Sequence, residues 1–219
     1  CYSQNAYKNK TVLITGCTGF KGSWLSLWLL KMGAKVIGIS LDPPSSPSHF
    51  ESLNLSKYIN DNRFDIRDFN LLSNLIKKHK PDFIFHLAAQ SLVQKSYEAS
   101  LETFSINTLG TINLLESLKN LEHECNAIFI TSDKCYENVE WLWGYKETDK
   151  LGGKDPYSAS KAAAEISINS YSRSFFNSPN QPIQIASTRA GNVIGGGDWA
   201  LNRIVPDSIK AWSKNSPVR

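Results

Sequence analysis

Long apolar runs, paired metal ligands, low-complexity tracts and a strong charge of one sign are all missing from this 219-residue sequence. No stretch approaches the ~20 consecutive apolar residues that a bilayer-spanning helix needs, so no membrane partner is expected. Cysteine is scarce: Cys1, Cys17, Cys125 and Cys135 fall at no metal-ligand spacing. Reduced thiols in the cytoplasm are therefore the expectation. The four histidines are scattered, so no metal is expected. Lys and Arg number 24 against 20 Asp and Glu, and they form no stripe, which argues against a nucleic-acid partner. The first residues, Cys1 to Asn5, lack the apolar core of a secretory signal. What remains, 41% hydrophobic and 20% charged, is ordinary globular composition. A chain this long can bury roughly 70% of its unfolded surface.

Glycines cluster at one informative place, Gly16-Cys17-Thr18-Gly19-Phe20-Lys21-Gly22. The run follows the apolar stretch Val12-Leu13-Ile14 and opens an apolar helical pattern, the context of a dinucleotide-binding turn. Gly16 permits a tight turn, Gly19 leaves room for a pyrophosphate, and Gly22 allows close helix packing. A helix starting near Phe20 turns free N–H groups and its positive dipole end toward the phosphates. Asp42 lies twenty residues past Gly22, after Val36-Ile37-Gly38-Ile39, where a carboxylate accepts from the adenosine ribose and repels a 2′-phosphate. NAD is thus expected over NADP. The bland alternative is a glycine-rich turn without a ligand.

Apolar strand-like runs alternate with amphipathic ones. Residues 11–15, 35–40, 82–87, 127–131 and 184–188 read as strands, and 20–32, 69–80, 101–120 and 157–176 as helices. This alternation predicts an α/β fold with a doubly wound parallel sheet and helices on both faces. Pro43 to Ser48 and Asn177 to Pro182 read as surface loops, too short for interdomain linkers. Trp24 and Trp28, four apart on the first helix, are expected to pack against the sheet.

Tyr157-Ser158-Ala159-Ser160-Lys161 is the second chemical motif. On a helix, positions four apart face the same way, so Lys161 lies beside Tyr157. An ammonium about 4 Å away at an effective dielectric of about 20 contributes roughly 4 kcal/mol, enough to bring a tyrosine near neutral pH as a general base. Such a pair also arises by chance on an exposed helix face. Asp155-Pro156 makes a suitable helix start.

Together these residues resemble the extended short-chain dehydrogenase/reductase family, the NAD-dependent epimerases and dehydratases, whose domain is a Rossmann sheet. On this resemblance Asp65-Ile66 follows the third strand and meets adenine, and Leu87-Ala88-Ala89-Gln90 ends the fourth and lines the cofactor. Asn107 matches the family's helix asparagine, and Arg189-Ala190-Gly191-Asn192-Val193 follows the strand after the active-site helix. Longer runs are similar to the CDP-glucose branch of the sugar-nucleotide 4,6-dehydratases. They are Gly19 to Leu25, Thr131 to Tyr136, Gly195 to Ala200, Trp141 to Tyr145 and Gly152 to Tyr157. The likeness runs from about Lys8 to Arg219. Two departures stand out: Cys17 occupies a position where histidine is expected, and Asp133-Lys134 stands where the dTDP-glucose enzymes carry Asp-Glu. The lysine favours the CDP branch.

The resemblance implies that CDP-glucose is oxidised at carbon 4, loses water across carbons 5 and 6, and regains hydride at carbon 6. It assigns catalysis to Ser132, Asp133, Lys134, Tyr157 and Lys161, with Asp133 the acid and Lys134 the base of the elimination. NAD contacts fall to Gly16, Thr18, Gly19, Phe20, Lys21, Gly22, Asp42, Asp65, Ile66, Leu87, Ala88, Ala89, Gln90, Asn107, Tyr157 and Lys161. Sugar-nucleotide contacts fall to Gln90, Ser132, Asn192, Asp198, Trp199 and Arg203. Asp133-Lys134 could instead be a surface ion pair, and Trp141, Trp143 and Tyr145 could stack on a base or cover a loop. Residues 8–200 read as the Rossmann domain and 201–219 as the start of a truncated sugar-nucleotide lobe, with family members continuing for on the order of 100 residues. The full-length protein is expected to be a homodimer or homotetramer in deoxysugar biosynthesis. The alternatives are a 4-epimerase, a dehydratase of another sugar nucleotide, and a catalytically silent NAD-binding module.

Overall fold

The computed structural model describes residues 6–178, 180–200 and 202–218. Cys1, Pro179 of the second loop, Leu201 at the expected lobe boundary and Arg219 lie outside the described residues. Six parallel strands form one sheet in the order β3-β2-β1-β4-β5-β6. They are β1 (Thr11–Thr15), β2 (Lys35–Ser40), β3 (Asn60–Arg63), β4 (Phe83–His86), β5 (Cys125–Ile130) and β6 (Ile183–Thr188). The chain order reverses between β1 and β4, and the crevice at the carboxyl ends there is where doubly wound sheets bind ligands.

Strand β1 shows why both faces are buried. Its side chains alternate, so Val12 and Ile14 enter one core and Leu13 the other. Val12 and Ile14 meet Leu29 of α1 (Phe20–Lys31) and Phe50 of α2 (His49–Ser52). Leu13 meets Leu72 and Ile76 of α3 (Phe69–His79) and Leu114, Leu115 and Leu118 of α6 (Gly110–Leu118). Ile168 of α7 (Pro156–Phe175) completes that layer. Two short helices, α4 (Val93–Glu98) and α5 (Ser100–Phe104), precede α6, and α8 (Ile204–Trp212) is the last described element.

Three features differ from the periodicity reading. Strand β3 is Asn-Asp-Asn-Arg, with no apolar alternation to reveal it, and pairs with β2 from Ile37↔Asn60 to Ser40↔Arg63. The single helix expected over 101–120 is instead α5, a π turn at Ser105–Leu109, and α6. Trp24 and Trp28 are not core: they are 44% and 62% exposed, because the face of α1 that meets the sheet carries Gly22, Ser26 and Leu29.

Candidate active site

The β1–α1 turn is built around close approach. Gly16 has φ +75°, and a Cβ there would come 2.8 Å from the Ala88 backbone nitrogen. A Cβ on Gly22 would come within overlap distance of the Gly16 carbonyl, so Gly22 keeps the helix tight on its own turn. Gly19 caps α1 without a side-chain hydrogen bond, leaving first-turn N–H groups for an anion. Thr18 Oγ1 ties the turn to the end of β2 through Ser40 Oγ at 2.6 Å and the Leu41 carbonyl at 3.1 Å. Cys17 points away into the α1-side core, and burial pushes its thiol up to about 12. Asp42 is exposed just past β2. Beside it Arg63 donates to the Leu41 carbonyl at 2.7 Å and pairs with Asp61 at 2.7 Å, so this guanidinium is already committed.

Cations gather across the crevice. Lys21 extends from the first turn of α1, where desolvation and then Arg203 lower its pKa. Lys161 on α7 is buried, and desolvation, with Lys21 second, lowers its pKa to about 8. The Arg203 Nε is buried without a partner among the described residues. A glycine cradle that a side chain would fill, an orphaned guanidinium nitrogen and two nearby ammoniums fit an anionic diphosphate.

The side of the crevice away from α1 carries the residues expected to react. Asp155 caps α7 by accepting from the Ser158 backbone N–H at 3.0 Å, and Pro156 follows it. Tyr157, Lys161 and Ser132 are all buried. Lys161 is not the dominant influence on the tyrosine. Burial raises the Tyr157 phenol, with the Ser132 hydroxyl and the Arg203 charge pulling against it. The Lys161 charge is instead felt at His86, whose pKa is pushed down to about 3, mainly by burial. Past β5, Ser132 caps a 3₁₀ turn, Asp133–Cys135. The Lys134 ammonium lies 3.5 Å from Asp133 Oδ1 and 3.4 Å from Asn192 Oδ1, and both charged side chains are partly exposed. Cys135 is buried and its thiol is raised to about 11.

Hydrogen bonds link the two sides. Thr15 Oγ1 accepts from the Leu87 and Ala88 N–H groups, so its proton goes to His86 Nδ1 at 2.8 Å. His86 Nε2–H then donates to Thr111 Oγ1, which donates to the Asn107 carbonyl. Asn107 sits in the π turn, a feature frequent at functional sites. Its amide clamps Gln90 N–H and C=O and donates to Ser160 Oγ, which donates to the Tyr157 carbonyl. The Gln90 side chain is occupied with Leu92 and Thr103, and Ile66 is core. Asp65 is held by Arg67 in an ion pair of 2.6 Å.

A second network went unrecognised in the sequence. Glu165, one turn beyond Lys161, is buried, yet pairs with Arg189 at 3.0 Å and accepts from Thr131 and Ser187. Burial pushes this carboxyl up, but the Arg189, Thr131 and Ser187 partners outweigh it and hold the pKa below its usual value. An acid four positions after the lysine on one helix face was the available signal. Arg189 also lies over the Tyr136 ring at 4.8 Å. Tyr136, Tyr145, Trp141 and Trp143 stack on one another at centroid spacings of 5.1–5.2 Å. Asp198 accepts from the Ala200 N–H at 3.2 Å, and Trp199 lies under Lys210. Among the described residues no group of three or more His, Cys, Asp or Glu could hold a metal ion, and no helix is long and apolar enough to cross a membrane.

Comparison with known proteins gives this arrangement a context. The chain is 50% identical to the CDP-glucose 4,6-dehydratase of Salmonella typhimurium over 98% of its own length and 61% of that protein. It is 32% identical to the dTDP-D-glucose 4,6-dehydratase of Dictyostelium discoideum, covering 93% of this chain and 48% of the other. The chain thus spans less than two thirds of these curated relatives. The structure of UDP-glucuronic acid 4-epimerase from Bacillus cereus, solved with UDP-glucuronic acid and NAD, superposes with a TM-score of 0.79 at 26% identity. That superposition covers 95% of this chain and 64% of the other. The family model for GDP-mannose 4,6 dehydratase matches residues 13–181, through β1, the glycine turn, the Ser132 turn and α7. On its sequence and its fold, the chain belongs to that dehydratase family.

Proposed function

We propose that this chain is the nucleotide-binding and catalytic portion of an NAD-dependent CDP-glucose 4,6-dehydratase, making CDP-4-keto-6-deoxyglucose. The reading is carried by the 50% identity to the Salmonella dehydratase along nearly the whole chain. It is supported by Ser132, Asp133 and Lys134 at the carboxyl end of β5, across from Tyr157. Gly19 to Gly22 of the β1–α1 turn would hold the diphosphate of NAD, and Asp42 would accept from its adenosine ribose. When bound, NAD supplies a hydride acceptor for carbon 4 and a donor for carbon 6.

Ser132 orients the carbon 4 hydroxyl, and Tyr157 takes its proton, helped toward ionisation by Ser132 and Arg203. The ketone then acidifies carbon 5. Passing one proton from Lys134 to Asp133 creates both groups the elimination needs. The neutral amine takes the carbon 5 proton, and the carboxylic acid protonates the departing carbon 6 hydroxyl. Their 3.5 Å separation has to close to hydrogen-bond distance for the exchange, a small side-chain movement. Covering the pair with substrate favours the neutral form, since desolvation penalises two charges more than none. Asn192, Asp198 and Trp199, from the end of the Rossmann domain, and Arg203, from the lobe that begins near residue 201, are assigned to the sugar nucleotide. The setting is cytoplasmic, and the full-length protein is a homodimer or homotetramer.

The test is full-length protein with NAD and a panel of glucose nucleotides, followed by product identification. A 4-keto-6-deoxy product from CDP-glucose is expected. A carbon 4 epimer would replace this reading with an epimerase, and NAD binding without turnover would replace it with a silent binding module.

A further inference from the structure

We propose that Trp24 and His49 form a latch that docks the glycine-rich loop after β6 onto α1, making them positioning residues for sugar-nucleotide binding. The proposal rests on the function proposed above. The Trp24 indole Nε1–H donates to the Gly196 carbonyl at 2.8 Å, 172 positions away in sequence. Its ring stacks on His49 with centroids 4.4 Å apart and planes at 20°. His49 is fixed in turn. Ser23 Oγ gives its proton to the Phe20 carbonyl at 2.9 Å, so it accepts from His49 Nδ1–H at 2.9 Å.

The three glycines of the loop each meet this platform. A Cβ on Gly195 would come 3.2 Å from the Phe20 ring, and one on Gly197 would come 2.7 Å from His49. Gly197 also has φ +82°, where a side chain is strained. At Gly197 the loop can lie this low only because the residue is glycine, while a Cβ on Gly196 would meet nothing. Asn192 precedes the docked segment, and Asp198 and Trp199 follow it. The helix whose first turn faces the diphosphate therefore also holds the loop that meets the sugar nucleotide. Core packing does not account for the contact: Trp24 remains 44% exposed and Ile194 71% exposed.

The experiment uses full-length, NAD-loaded protein and the variants Trp24→Phe, which keeps a ring over His49 but loses the N–H, and Trp24→Ala, which loses both. Removing one such hydrogen bond shifts the docked-to-free ratio by about two- to tenfold. Hydrogen exchange across 191–200 should rise by that factor in Trp24→Phe and further in Trp24→Ala. The KM for CDP-glucose should rise as the docked fraction falls, with kcat and NAD affinity within about twofold of wild type. Unchanged exchange in both variants would overturn the latch. NAD affinity falling in step with KM would also overturn it, because Trp24 would then act through the nucleotide turn. If wild-type protein turns over no sugar nucleotide, the functional reading fails, and the exchange measurement still decides the latch.

Discussion

Replacing the buried lysine of the site should make the protein more stable and less active. Lys161 is 7% exposed, and burial carries its pKa from 10.5 to about 8. At about 1.4 kcal/mol per pH unit, holding the ammonium in the folded state costs about 3 kcal/mol at pH 7. The cost is fully present below the folded value of about 8. It disappears as pH rises toward 10.5, because the unfolded chain there binds a proton that the folded chain lacks. Methionine is an unbranched replacement that carries no charge. Glu165 is not orphaned by the change, since Arg189, Thr131 and Ser187 remain its partners. Lys161→Met should therefore stabilise the cofactor-free protein by about 1–3 kcal/mol at neutral pH, or about 3–10 °C in Tm. Urea and thermal unfolding of both proteins between pH 7 and 10 would measure it, and the advantage should shrink as pH rises above about 8. Turnover should fall sharply in the same variant. An equally or less stable variant at pH 7, or a gap that does not narrow with pH, would refute the electrostatic account of Lys161.

Other consequences can be checked separately. In full-length protein, Asp133→Asn and Lys134→Met should spare oxidation at carbon 4 and block elimination, so single-turnover absorbance of reduced nicotinamide should grow and persist; failure of the first hydride transfer with the fold intact would remove the pair from the elimination. NADP should bind at least about tenfold more weakly than NAD, because Asp42 opposes the 2′-phosphate while Arg63 is tied to Asp61 and Leu41; comparable affinities in a titration would contradict this. His86 should stay neutral with its proton on Nε2, as nitrogen NMR would report, and its replacement by leucine should cost about 1–3 kcal/mol by stranding Thr15 and Thr111. As pH falls below 6.5 the unfolded chain takes a proton that buried His86 refuses until about 3, so wild type should lose stability there and His86→Leu should lose that slope.

Much of the architecture was legible because it rests on local chemistry. Apolar runs marked five strands, and the strand-turn-helix context marked the nucleotide turn, whose Gly16 and Gly22 sit where no Cβ fits. Asp155-Pro156 announced the start of α7. Strand β3 was invisible to periodicity, because its side chains are polar and it is recruited by backbone pairing with β2; only the family resemblance placed a strand before Asp65. The break at Ser105–Leu109 was equally hidden, since the periodicity of 101–120 does not reveal a π turn. Charge and exposure at the site were decided only in three dimensions. Four-residue spacing put Lys161 beside Tyr157 on a helix, but burial, Lys21 and His86 determined where its charge acts, and the phenol is raised rather than lowered. Trp24 looked like core by spacing alone. It became a surface contact because a loop far away in sequence brings the Gly196 carbonyl to its indole. Sequence alone thus determined the order of five of the six strands and of the helices that follow the nucleotide turn and Asp155-Pro156. Desolvation and long-range partners, which depend on chain segments meeting in space, decided what each residue of the crevice can do.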